Sequence, residues 1–75
     1  VMLPLAFAKS GDHVMVAKIG GNPEVRKHLE DLGFVIGSHV QIISASKDGN
    51  VIVNLKDSRL AITDLMAKKV QVVPQ

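Results

Sequence analysis

Apolar and polar positions alternate along most of this chain, and fall three and four apart in one segment. His13-Val14-Met15-Val16-Ala17-Lys18-Ile19 sets Val14 and Val16 on one face, with a slip of phase before Ile19, which predicts a strand carrying a bulge or strong bend. Gly20-Gly21-Asn22-Pro23 ends that strand and opens a helix, with Asn22 suited to the N-cap and Pro23 to the first helical position. Val25, Leu29 and Leu32 follow at helical spacing, and Gly33 stands where a left-handed C-terminal residue is wanted. After Phe34-Val35-Ile36-Gly37 the period returns to two. Val40 and Ile42 alternate with His39 and Gln41, Lys47-Asp48-Gly49-Asn50 is a hairpin turn signal, and Val51, Val53 and Leu55 form the return strand. Lys56-Asp57-Ser58 turns tightly into Arg59-Leu60-Ala61-Ile62. Thr63 or Asp64 can cap a helical turn over Leu65 to Lys68, and Val70-Gln71-Val72-Val73 is a last strand ended by Pro74. Ahead of all this, Leu5 to Gly11 reads as one helical turn stopped by glycine.

The expected fold is mainly β. About five short strands, one helix after the first long strand and no βαβ repeat point to a small SH3-like barrel, in which closure removes exposed edges. Seventy-five residues allow one core, so residues 1–75 are read as a single domain. Hydrophobic residues make up 47% and charged residues 21%, with Phe7 and Phe34 the only aromatics, so the chain should fold on an aliphatic core.

The absence of cysteine removes disulfides, thiolate nucleophiles and cysteine-held zinc or iron–sulfur centres, and fits a cytoplasmic setting. The apolar run Met2 to Ala8 is interrupted by Pro4 and is too short for a membrane span, so no direct membrane insertion is expected. Nine basic and seven acidic residues, a net charge of +2, are interspersed along the chain. That is a mixed surface without a polyanion-binding stripe.

Candidate chemistry is sparse. His13 and His39 alternate with inward valines and so point outward, while His28 lies at the edge of the helix's apolar face. None shows the paired spacing of a metal site. The expectation is no cofactor and no built metal site; weak transition-metal binding, or a site shared between chains, stays open. Gly20-Gly21 before a helix start lacks the lysine and hydroxyl of a phosphate loop and reads as a simple turn. The serines lie in turns or strands with no nucleophile motif, and no catalytic residue or enzyme activity is expected. Gly11-Asp12-His13-Val14-Met15-Val16 resembles the opening of KOW-type RNA-binding barrels, but those continue into another strand where Pro23 to Leu32 reads as helix. Two aromatics also offer few platforms for stacking bases, so no nucleic-acid partner is expected.

One stretch carries a more specific likeness. Arg26-Lys27-His28-Leu29-Glu30-Asp31-Leu32-Gly33-Phe34-Val35-Ile36-Gly37-Ser38-His39-Val40 combines basic residues, a leucine pair, Leu-Gly and a second glycine four residues on. It resembles the FeoA family, the small cytosolic component of bacterial ferrous iron uptake. The likeness extends to Leu5 to Gly11, Val14 to Ile19, Arg59-Leu60-Ala61-Ile62 and Ala67 to Val72. Ile36 replaces the family's usual proline, Asp57-Ser58 stands where a glycine is common, and Ala8 where leucine is usual. Loss of that proline costs rigidity but not topology. The resemblance implies docking on the cytosolic, nucleotide-binding part of the FeoB membrane transporter. It also implies a barrel similar to the carboxy-terminal domain of iron-dependent repressors, and hence a metal-sensing alternative. Leu29, Leu32, Gly33 and Gly37 are expected to be structural. Phe34 and Ile36 are expected as apolar contacts with the partner, and Arg26, Lys27 and Arg59 as electrostatic ones. Oligomeric state is left open.

Overall fold

A computed structural model describes all 75 residues. Its elements are β1 (Leu3–Pro4), a 3₁₀ turn (Leu5–Phe7), β2 (His13–Ile19), α1 (Pro23–Leu32), β3 (His39–Ala45), β4 (Val51–Leu55), β5 (Ser58–Ile62), α2 (Asp64–Ala67) and β6 (Val70–Pro74). The strands form one antiparallel sheet in the order β1-β6-β2-β3-β4-β5. It wraps a core of fifteen buried apolar residues in the expected SH3-like manner, with one strand more than expected. The extra strand is β1, where Leu3 pairs with Val72 and Pro4 with Gln71. Two residues, one of them a proline confined to a sheet edge, carry no alternation to read.

The predicted slip in β2 is a bulge: the register against β6 shifts between Val16 and Lys18. Val14 and Val16 are buried ahead of it, and beyond it Ile19 is half-buried while Lys18 stays exposed. A second shift, between Ile42 and Ser44, bends β3 against β4. Bulges of this kind curl a short sheet around so small a core.

The helix begins and ends as its sequence dictates. Val25 N–H donates to Asn22 Oδ1 at 2.9 Å, and Pro23 occupies the first turn. At the far end Gly33 is left-handed, φ 104°. Its N–H donates to Glu30 O and the Phe34 N–H donates to Leu29 O, each at 2.9 Å, which is a Schellman closure. Leu29 and Phe34, the two positions at which such a closure places apolar residues, are both fully buried in the core. A Cβ on Gly33 would meet Leu55 Cδ2 at 3.1 Å as well as an unfavourable φ. Gly33→Ala should therefore cost about 1–3 kcal/mol, read from a denaturation curve.

The short α2 corrects one expectation. Thr63 sits at its N-cap without a side-chain bond; instead Asp64 N–H donates to Asn50 Oδ1 at 2.8 Å, so the β3–β4 turn caps the helix from across the chain. In the two-residue turn between β4 and β5, Lys56 has φ 56°, a conformation that costs a residue bearing a Cβ. Lys56→Gly should gain about 0.5–1 kcal/mol, after allowance for the looser unfolded chain, and raise the melting temperature by a few degrees.

Candidate functional site

The Schellman turn divides Phe34-Val35-Ile36 in two. Phe34 is fully buried, so the expectation that it contacts a partner is wrong: the hydrogen bond from its amide back to Leu29 turns the ring into the core. The next two residues are thrown outward, Val35 at 45% exposed and Ile36 at 71%. The turn that carries them is tied down. Gly37 N–H donates to Val16 O at 2.8 Å, Val16 N–H to Ser38 O at 2.9 Å, and Ser38 N–H to Val35 O at 3.0 Å. Ser38 Oγ also donates to Gly33 O at 3.3 Å. Two large apolar side chains are thus held in water by a braced turn, and folding alone gives no reason for that.

Around them lies an open cleft lined by Lys18, Ile19, Arg26, Glu30, Val35 and Ile36. Each wall follows from a local rule. The bulge in β2 brings Ile19 inward and leaves Lys18 at the rim, and the polar face of α1 contributes Arg26 and Glu30 one turn apart. The chain's one salt bridge joins Lys68 to Asp64 at 2.9 Å, so Lys18 and Arg26 are free of intramolecular ion pairs.

Of the residues expected to meet a partner, the structure gathers Arg26 and Ile36 in this cleft. Lys27 lies beside it, in a hollow shared with Pro23, Arg26 and Glu30. Arg59 is exposed on β5 opposite Asn54 and lines neither. Leu29 is buried, Leu32 half-buried, and Gly33 and Gly37 are left-handed.

The sequence pattern missed a basic rim. Lys18 also borders a second hollow with Gly20, Gly21, Lys68, Lys69 and Gln71. Lys18 pairs with Gln71 across β2 and β6, and Lys69 O accepts from Gly20 N–H at 2.6 Å. Strand register thus draws together lysines that the sequence scatters. The cluster runs on past Lys18 to Arg26, where Glu30 shares the cleft, and at its other end Lys68 pairs with Asp64. No three histidine, cysteine or acidic side chains converge on one point. No helix is long and apolar enough to cross a membrane.

Comparison with known proteins gives a consistent answer. Residues 3–74 match the family model described as FeoA domain. A protein described as an Fe(2+) transport protein A from Methanocaldococcus jannaschii is 39% identical over 71 residues, spanning 95% of this chain and 85% of that one. Among solved structures, a FeoA iron uptake regulatory protein superposes over the whole of both chains with a TM-score of 0.94 at 27% identity. A manganese-dependent transcriptional repressor matches 99% of this chain with 41% of its own, TM-score 0.90, at 18% identity, a likeness of fold alone.

Proposed function

Because this chain belongs to the FeoA domain family, we propose that it is a cytoplasmic accessory protein of ferrous iron transport that acts by docking on the cytosolic part of a FeoB-type membrane transporter and catalyses nothing itself. The observation that carries this reading is the exposed Val35–Ile36 pair, braced beside the unpaired cations Lys18 and Arg26. An apolar anchor ringed by charge is how a small domain concentrates binding energy, and a pre-ordered turn reduces the entropy lost on docking. Transport chemistry then belongs to the partner.

An RNA-binding reading gains little support. With Phe34 in the core, Phe7 is the one exposed aromatic, and single-strand binding needs several stacking surfaces. The test is calorimetric titration of the chain into the purified cytosolic region of a FeoB-type transporter. Saturable heat is expected, and its absence at high micromolar concentrations of both would sink the docking reading.

A further inference from the structure

His13 and His39 stand on different strands, and only the register shows that they are neighbours. Across β2 and β3, His13 faces Gln41 and Met15 faces His39. Ile42 N–H donates to Asp12 O at 2.8 Å and Val16 N–H to Ser38 O at 2.9 Å. The ladder bonds therefore fall at Asp12, Val14 and Val16, and His13 and Met15 lie between them at the non-hydrogen-bonded sites. There opposed side chains approach most closely, and diagonal neighbours such as His13 and His39 are about 7–8 Å apart or less. Val14 and Val40 are buried, so both histidines and Gln41 project from the outer face. All three line one open cleft of about 630 Å³, which Asn54 and Lys56 also border.

We propose that His13 and His39 form a two-imidazole site for a late first-row divalent ion, copper, nickel or zinc, with the Gln41 side-chain oxygen as a third donor and water completing the shell. Lys56 is the one permanently charged side chain lining the cleft, and no aspartate or glutamate side chain lines it. A hard ion such as magnesium, which depends on anionic oxygen, gains little there, whereas imidazole nitrogen suits the later transition metals. The site is open and its ligands are few, so it takes up ions reversibly and does not staple the fold. It stands independently of the docking reading, on a different face of the Gly33–Ser38 turn.

The test is titration of the ¹⁵N-labelled chain with zinc chloride, following the imidazole signals of all three histidines. His28, exposed on α1 and outside the cleft, is the internal reference. His13 and His39 should shift together and saturably while His28 is unmoved, and magnesium at the same concentration should move none of them. In His39→Ala the affinity reported by His13 should fall about tenfold or more, equivalent to roughly 1.4 kcal/mol or more for the lost ligand. Both histidines are exposed, so the fold should persist, and the backbone amide spectrum checks this. Parallel shifts of all three histidines, or an unchanged His13 affinity in His39→Ala, would mean that ions bind exposed imidazoles singly, and the proposal would be wrong.

Discussion

Replacing Phe34 with alanine should lower the unfolding free energy by about 3–5 kcal/mol and the melting temperature by roughly 15–30 °C. Phe34 is the largest fully buried side chain, and its ring fills the core just beyond the α1 terminus that its amide closes. A domain of this size is stabilised by about 4–11 kcal/mol in total, so one residue holds a large share. The same substitution removes an anchor from the turn that carries Val35 and Ile36, so a loss of binding would report a loosened fold and not a lost contact. A denaturation midpoint close to that of the unaltered chain would show that the ring does not pack as described. Phe34→Asp is for this reason unsuitable as a test of the interface.

Ile36→Asp is the suitable test. The side chain is mostly exposed, so stability should change by no more than about 0.5 kcal/mol. Affinity for the transporter's cytosolic region should fall about thirtyfold or more, the loss expected when a central apolar contact of about 2 kcal/mol is replaced by a charge. Arg26→Glu should weaken binding about tenfold, and because the two side chains share one cleft their effects should not simply add. Arg59→Glu, on β5 and outside the cleft, should have little effect. Undiminished binding by a folded Ile36→Asp variant would move the interface elsewhere.

Local chemistry made much of the fold legible from sequence. Asn22, Pro23 and Gly33 delimit α1, the phase slip before Ile19 marks the bulge, and Asp48-Gly49 marks the hairpin. What escaped depends on distant residues meeting. Asn50 caps α2 only because the β3–β4 turn passes over it, and Lys69 nears Lys18 only through the register of β2 with β6. Phe34 is a different case, because a signal was present: an apolar residue directly after a C-terminal glycine is the one a Schellman closure turns inward. The expectation that Phe34 and Ile36 both meet a partner passed over it.

The basic rim has a kinetic consequence. With Lys18, Arg26 and Lys69 unpaired along one side of a chain of net charge +2, the molecule carries a lopsided field that can turn it toward an acidic surface before contact. Added salt, which shortens the reach of that field to about 8 Å near physiological strength, should then slow association. The rate of departure, governed by the seated apolar side chains, should change far less.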